Sequence, residues 1–254
     1  MITSHTNPLL KDIRRLQTRR ERGRFVAEGE DLLAAAQQAG WAPVHLLRSG
    51  VDVSEEALAK VSSLGSGTRA LGVFEERWAA PAGPLCVALW GVKDPGNVGT
   101  VLRAALAFGA GSVVLGPGTA DPYGPKAVRA SMGAIFEVPV ARVTAIDELP
   151  GVRVALDARR GDVLRGDAWD RTGDLTLVVG AERAGLPPEV LEACDRAAHI
   201  PILNESLNAA MAATLAVYEL TRDNENRGSE PPGRAAAREA SALRESSPNR
   251  VPEA

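Results

Sequence analysis

Three short segments carry the residue types and spacing that chemistry needs. The first, Asp94-Pro95-Gly96-Asn97-Val98-Gly99-Thr100-Val101-Leu102-Arg103, turns on a glycine-containing loop and starts a helix that Asn97 could cap. Backbone N–H groups at such a helix start can hold an anion, and Arg103, six residues after Asn97, is awkward to explain as core. The second, Val178-Val179-Gly180-Ala181-Glu182-Arg183-Ala184-Gly185-Leu186-Pro187, ends an apolar run on a glycine and puts an acid at once into the following loop. The third, Ile200-Pro201-Ile202-Leu203-Asn204-Glu205-Ser206-Leu207-Asn208, pairs a short strand with a helix start that Asn204 or Ser206 could cap. Pro201 assigns that strand to an edge or an irregular segment. Each segment also has a plain structural explanation: a capped helix with a snorkelling arginine, a glycine turn with a solvated Glu, a Ser-Leu-Asn cap. Other chemistries find little support. Gly91, Gly96 and Gly99 do not make GxGxxG, no GK[ST] occurs, and His5, His45 and His199 have no sequence neighbours that suggest a triad. Cys86 and Cys194 lie far apart without ligand spacing, so neither a metal site nor a disulfide framework is expected.

The elements that must position these segments alternate. Leu85-Cys86-Val87-Ala88-Leu89-Trp90 is the near-continuous apolar run of a strand buried on both faces. Val98, Val101, Leu102 and Ala105 follow at helical spacing, Gly109 and Gly111 end the helix, and Ser112-Val113-Val114-Leu115 is the next strand. This is a βαβ unit, so the sheet is parallel, and open parallel sheets bind ligands outside the carboxyl ends of their strands. Further strands are expected at Val138–Val140, Val152–Leu156, Leu175–Val179 and His199–Ile202. A last helix from about Ser206 sets Leu207, Met211, Thr214, Leu215 and Tyr218 on one face. Residues 1–78 read as a smaller α/β domain: a basic amphipathic helix with Leu9, Ile13 and Leu16 inward, strands at Phe25–Gly29, Val44–Leu47 and Arg69–Phe74, and helices between them. Ala79-Ala80-Pro81-Ala82-Gly83-Pro84 is a linker, residues 85–222 form the second domain, and residues 223–254, rich in Arg, Glu, Ser and Pro, form a disordered tail.

Composition narrows the partners. Of 254 residues, 45% are apolar, enough for a core, but only 4% are aromatic. That scarcity argues against a broad base-stacking platform. Net charge is −3, yet seven cations fall between Lys11 and Arg24 against only Asp12 and Glu21. Such a cluster is a footprint for phosphates or a solvated helix face; its spacing turns Arg14, Arg15 and Arg19 at least partly outward. No apolar signal core or membrane-length run occurs, so a cytoplasmic protein with no membrane partner is expected.

Taken together and in order, Asn97-x-Gly99-x-x-x-Arg103, Gly180-x-Glu182-x-x-Gly185-Leu186 and Ile200-Pro201-Ile202…Ser206-Leu207-Asn208 resemble the three motifs of the SpoU/TrmH family of RNA ribose 2′-O-methyltransferases, which have the SPOUT fold. Asp121-Pro122-Tyr123-Gly124-Pro125-Lys126-Ala127-Val128-Arg129-Ala130-Ser131-Met132-Gly133-Ala134 is a further match, and Phe25-Val26-Ala27-Glu28-Gly29 resembles the family's small RNA-substrate-binding domain. The likeness spans about residues 7 to 221. It implies an α/β, SPOUT-type parallel sheet with a C-terminal trefoil knot formed after Leu175, and a homodimer whose active site mixes residues of both subunits. It implies S-adenosylmethionine bound by Val179, Gly180, Gly185, Ile200, Ile202 and Leu207. Arg103 would activate the ribose hydroxyl, with Asn97, Glu182, Ser206 and Asn208 fixing it, while Arg129 and Ser131 position phosphate. Arg15, Arg19 and Arg22 are the basic-segment residues assigned to RNA, ribosomal sooner than transfer RNA. One segment departs from the pattern: Leu203-Asn204-Glu205 is shorter than the family's glycine-containing loop there, which leaves open a non-catalytic RNA-binding member of the same fold.

Overall fold

Every residue of Leu85–Leu89 (β4) is buried, and the strand alternates between two cores because its side chains alternate between two faces. The computed structural model describes residues 1–4, 6–64, 67–166, 173–203 and 207–222. Ahead of β4 come Pro8–Gln17 (α1), Arg24–Glu28 (β1), Glu30–Gln38 (α2), His45–Arg48 (β2), Glu55–Ala59 (α3) and Ala70–Glu75 (β3). After it come Pro95–Phe108 (α4), Ser112–Leu115 (β5), Pro125–Ala130 (α5), Val140–Arg142 (β6), Val152–Leu156 (β7), Asp162–Val163 (β8), Leu175–Val179 (β9), Pro188–Glu192 (α6), Arg196–His199 (β10) and Ala209–Thr221 (α7).

The first three strands pair antiparallel in the order β1-β3-β2, and the other seven form a sheet in the order β6-β5-β4-β9-β7-β10-β8. Every pairing in the larger sheet is parallel, as the βαβ pattern predicts. Leu85, Val87 and Leu89 pack with Val101, Leu102 and Ala105 of α4 and Ala213 and Val217 of α7. Cys86, Ala88 and Trp90 pack on the opposite side, with Val190 of α6. Helices on both faces explain why these strands read as apolar runs and not as alternating ones.

The smaller sheet is also covered on both sides. Leu10, Ile13 and Leu16 of α1 join Ala57 and Leu58 of α3 against Val26, Leu47, Leu71 and Val73. The other face does not close on itself. Phe25, Trp41 and Phe74 belong to the same core as Tyr123 and Phe136 of the larger unit. Phe25 lies 4.8 Å from Tyr123 and 5.8 Å from Phe136 between ring centroids, and the Trp41 indole N–H donates to the Phe136 carbonyl at 2.7 Å. The few aromatic residues are therefore concentrated between the two sheets, where each can bury about 150–250 Å². The expected linker is also held. Ala79 N–H donates to Val140 O at 2.8 Å, and Ser112 Oγ bonds both Ala82 N and Ala82 O.

Several boundaries move from their expected places. Strand β10 ends where the sequence suggested it begins, and β6 is displaced toward Arg142. Asp94, not Asn97, caps α4: its Oδ1 accepts from Gly96 N at 2.7 Å and Pro95 takes the first helical position. Asn208, not Asn204 or Ser206, caps α7. Cys194 is half-buried, not buried. Ser206, the short stretch Asn204-Glu205 and the tail at 223–254 lie outside the described residues.

Candidate active site

Leu89 and Val179 stand opposite each other at the ends of β4 and β9, so the loops that follow start side by side. Neighbouring strands lie about 4.8 Å apart, and Trp90 N–H extends the pairing by donating to Val179 O at 2.8 Å. From β4 the chain runs through Asp94 into α4. Moving the cap to Asp94 places Asn97 within the first turn, its amide free of capping duty.

That amide joins the three sequence segments. Asn97 Nδ2 donates to Glu182 Oε1 in the loop after β9, and Asn208 Nδ2 donates to Asn97 Oδ1 at 3.2 Å. Asn208 Oδ1 meanwhile accepts from Ala210 N at 2.9 Å and Met211 N at 3.2 Å, capping α7. Residues separated by 111 positions in sequence thus form one hydrogen-bonded chain, Asn208 to Asn97 to Glu182. A carboxylate can only accept, so Glu182 sets the orientation of Asn97, and Asn97 that of Asn208.

Beside this chain is a cavity of about 310 Å³, within the range of small-molecule sites. Val179, Gly180, Gly185, Ile200, Ile202 and Leu207, the six residues that the family resemblance assigned to a cofactor, all line it. Its wall from Gly180 to Gly185 is a tight turn in which Ala181 and Gly185 exchange backbone hydrogen bonds of 3.1 and 2.9 Å. Gly180 is required there by space alone: a Cβ would stand 2.3 Å from Gly185 C and 2.5 Å from Leu186 N. Asp157, Ala158 and Arg159, beyond the end of β7, complete the lining. No local pattern marks them, because only the strand order brings β7 beside β9. A larger cavity, about 1,120 Å³, lies elsewhere, between α2 and the β2–β3 edge; none of the residues of the three segments borders it.

Arg103 is exposed on α4 and, among the described residues, has no hydrogen bond or ion pair, so its guanidinium is available to a substrate. Gly99, one turn earlier, lets α4 approach α5: a Cβ there would fall 2.4 Å from Ala127 O. Asp94 holds the two helices from their ends. Lys126 Nζ approaches it at 2.8 Å, and that contact together with the Gly96 N–H keeps its carboxyl below the usual carboxylate range.

The residues assigned to RNA separate. Arg15 and Arg129 are exposed, Arg15 with a 3.4 Å contact to Asp12. Ser131 is fully buried, its hydroxyl donating to Val128 O at 2.7 Å, so it closes α5 and cannot reach a phosphate. Arg19 is the larger correction. It follows the end of α1, with φ of 55°, and its side chain turns inward at 13% exposure. There it pairs with Glu76 and Asp121, each at 2.7 Å, and donates to Arg24 O at 3.0 Å. Arg22 also contacts Asp121, from an exposed position. The expectation that Arg19 faces solvent fails because helical spacing no longer applies beyond Gln17. Tyr123 of the same loop is buried. Its hydroxyl donates to Arg77 O, and desolvation pushes its pKa up to about 12, which keeps that donor protonated.

Known proteins bear on the site directly. A model of the SpoU rRNA Methylase family matches residues 84–218. The 23S rRNA (guanosine(2553)-2′-O)-methyltransferase RlmP of Bacillus subtilis is 32% identical over 250 residues, covering 86% of this chain and 98% of that protein. An AdoMet-bound rRNA methyltransferase from Sinorhizobium meliloti superposes with a TM-score of 0.77 at 31% identity, covering 87% of this chain and 97% of that one. The SpoU methyltransferase AviRb from Streptomyces viridochromogenes, in complex with AdoMet, gives 0.75 at 26% identity, covering 86% and 98%. With its three motifs joined at one site, its parallel sheet and a relative matched along nearly its whole length, the chain belongs to the SpoU rRNA methylase family.

Proposed function

We propose that this protein transfers the methyl group of S-adenosylmethionine to a ribose 2′-hydroxyl of RNA, and that the RNA is ribosomal. The observation that carries the reading is the Asn208–Asn97–Glu182 chain beside a cavity lined by all six assigned cofactor residues. The cavity fits the cofactor: the Gly180–Gly185 turn and the apolar Val179, Ile200, Ile202 and Leu207 offer peptide groups to a purine edge and room for its ring, and Asp157, Arg159, Glu182 and Arg183 add charged groups to the same lining. When bound, S-adenosylmethionine supplies a methyl group on a sulfonium centre. Val179, Gly180, Gly185, Ile200, Ile202 and Leu207 hold it, and Ser206 completes the third motif. The substrate specificity is supported by the names of relatives such as the B. subtilis 23S rRNA enzyme.

Positioning dominates such a transfer, because the hydroxyl oxygen must lie in line with the bond that breaks. Arg103 orients the hydroxyl and the adjacent phosphate and stabilises the negative charge that develops. A guanidinium is too basic to act as the proton acceptor, so the proton leaves to phosphate or water. Asn97, Glu182 and Asn208 hold the two sides of the site in register. Arg15, Arg22 and Arg129 contact phosphates, residues 1–78 receive the RNA, residues 79–84 connect, and residues 85–222 carry out transfer.

The protein acts as a homodimer. Met211, Leu215 and Tyr218 are 57%, 45% and 47% exposed along one face of α7, and Leu106 of α4 is 39% exposed. A stripe of this kind marks a partner surface. Arg103 and Leu106 lie one turn apart on α4, so covering the stripe brings a second subunit to the rim of the site. A trefoil knot after Leu175 belongs to the same reading; its support is the insertion of β9 between β4 and β7 and of β10 between β7 and β8. The cytoplasm is the compartment, since ribosomal RNA and reduced thiols coincide there.

Arg103→Ala tests the reading. It should abolish methyl incorporation into ribosomal RNA while calorimetric affinity for S-adenosylmethionine stays within about twofold. Arg103→Lys should rescue poorly, because an ammonium lacks the planar fork that holds two oxygens. Normal turnover in Arg103→Ala refutes the assigned role, and absence of cofactor binding by the wild-type chain refutes the methyltransferase reading itself.

A further inference from the structure

Two arginines outside the basic segment each hold the guanidinium over an indole. The Arg77 guanidinium carbon lies 3.9 Å from the centre of the Trp41 ring, and that of Arg142 lies 4.6 Å from the centre of the Trp78 ring. Trp41 is buried and fixed through its bond to Phe136 O. Trp78 is 41% exposed and packs edge-to-face on Tyr123 at 5.1 Å. Both arginines are exposed, and among the described residues neither guanidinium has a carboxylate partner. Two neighbouring acids are engaged elsewhere. Glu76 pairs with Arg19 and accepts from Trp78 Nε1 at 3.2 Å, and Asp121 pairs with Arg19 and Arg22. Glu137 lines the same small cavity as Arg77 and Trp78 but forms no ion pair with either arginine.

The placement of this patch matters as much as its chemistry. Arg142 ends β6, in a row with Leu115 of β5, Leu89 of β4 and Val179 of β9. Two and three strand spacings of about 4.8 Å put it roughly 10 and 14 Å along the sheet edge from the loops that follow β4 and β9. Val140, two residues earlier, belongs to the core shared with α4, so Arg142 points to the face of the sheet that carries Arg103. The patch therefore lies on the same face and at the same end as the site, joined through Glu76 and Asp121 to the N-terminal basic segment.

Resting on the methyltransferase reading, we propose that Arg77, Trp78 and Arg142 bind the single-stranded RNA that flanks the target nucleotide. A guanidinium stacked on an aromatic ring keeps its hydrogen-bonding fork in a fixed plane, which suits two phosphate oxygens. Its face, like that of the indole, accepts an unstacked base. No overall basic charge is needed, because both charges at the patch lack a carboxylate partner among the described residues.

The test is a salt series of binding to a labelled single-stranded RNA oligonucleotide of mixed sequence, with the full chain. Each lost phosphate contact flattens the log–log slope by about 0.7 on single strands. Arg77→Gln with Arg142→Gln should lower the slope by about 1.4 and weaken binding roughly 25-fold near ~0.1 M salt. Arg142→Gln alone, a change at an exposed side chain, should lower it by about 0.7. The corresponding double lysine variant should keep the slope but bind more weakly, having charge without a stacking plane. Affinity for S-adenosylmethionine should not move in any of them. An unchanged slope in Arg142→Gln and the double glutamine variant, with wild-type cofactor affinity, overturns the proposal and leaves the stacks as packing. A wild-type chain that binds the cofactor but no RNA overturns this proposal together with the RNA methyltransferase reading.

Discussion

Replacing Asn208 by Asp separates two roles that one side chain combines. Asn208 Oδ1 caps α7, and Asn208 Nδ2 holds Asn97. Aspartate keeps the cap, since Asp and Asn are equally good at that position, and its charge gains about 0.3–1 kcal/mol against the helix dipole. What it loses is the donor. An acceptor would then face Asn97 Oδ1, and Asn97 cannot rotate its amide without turning the same oxygen onto the Glu182 carboxylate. The Asn208–Asn97 hydrogen bond is lost at an exposed position, at a cost of about 0.5–1.5 kcal/mol. If that cost falls on the assembled site, turnover drops roughly 2- to 13-fold, while the melting temperature stays level or rises slightly. Asn208→Ala removes both functions. It should lose activity to a similar extent and also about 1 kcal/mol of cap stability, which for a chain of this size lowers the melting temperature by about 2–4 °C. Methyl incorporation into ribosomal RNA and thermal unfolding of the two variants decide the matter. Full turnover in Asn208→Asp would show that the three-residue chain positions nothing, and an unmoved melting temperature in Asn208→Ala would remove the capping argument.

Three further outcomes follow from the same geometry. Gly180→Ala drives a methyl group into the backbone at Gly185 and Leu186, and relief must come from the cavity wall; overpacking of about 1–3 kcal/mol should weaken S-adenosylmethionine binding at least about fivefold by calorimetry, and wild-type affinity would contradict it. Glu28 is half-buried, and although desolvation raises its pKa, hydrogen bonds from Ser62, the Ser63 N–H and Gln17 outweigh this and hold it below its ordinary 4.5. A lowered folded pKa means the stabilisation is fully present above 4.5 and is lost as pH falls through the folded value, so Glu28→Gln should flatten the fall of melting temperature in that acid range, and parallel curves would refute it. Arg19→Gln should cost up to about 3–5 kcal/mol of stability, as breaking a buried pair does, and so lower the melting temperature, while leaving the salt slope of RNA binding unchanged; Arg15→Gln should do the reverse, lowering the slope by about 0.7–0.9.

The contrast between those two arginines shows what was legible in the sequence. Arg15 lies within a helix whose inward face was marked by Ile13 and Leu16, so periodicity predicted its exposure correctly. Arg19 lies beyond the helix end, where the chain adopts a positive φ and nothing periodic remains. Its partners, Glu76 and Asp121, are 57 and 102 residues away, a distance that no local pattern spans. The parallel sheet was legible because burial on both faces leaves continuous apolar runs. The shared aromatic core was not, since Phe25, Trp41, Phe74, Tyr123 and Phe136 are single residues in separate elements. The site falls between. Its residue types came from three ordered segments, but the hydrogen bonds that join them depend on Asp94 taking over the cap and releasing Asn97.

That shared core bears on how the enzyme aligns its substrate. Had the smaller sheet been tethered only by a free linker, RNA held on it could be delivered to Arg103 from many directions, and the entropy of alignment would fall on each encounter. Here Tyr123 is 1% exposed and Phe136 4%, both covered by Phe25, Trp41 and Phe74, and Ala79 and Ala82 are tied to β6 and β5. Removing residues 1–78 would expose these rings and the Asp121 carboxylate together, leaving an apolar patch that favours aggregation. Cofactor binding is therefore best measured on the full chain. The surface proposed to receive RNA and the helix that carries Arg103 share one packed interior, and interiors at protein density transmit displacement instead of absorbing it. Tyr123 and Asp121 precede α5, α5 packs on α4 through Gly99, and Lys126 ties α5 to the Asp94 cap. A shift of the smaller sheet is thus passed to the start of α4, where Asn97 holds Glu182, so the fit of the RNA and the geometry of methyl transfer are set by the same contacts.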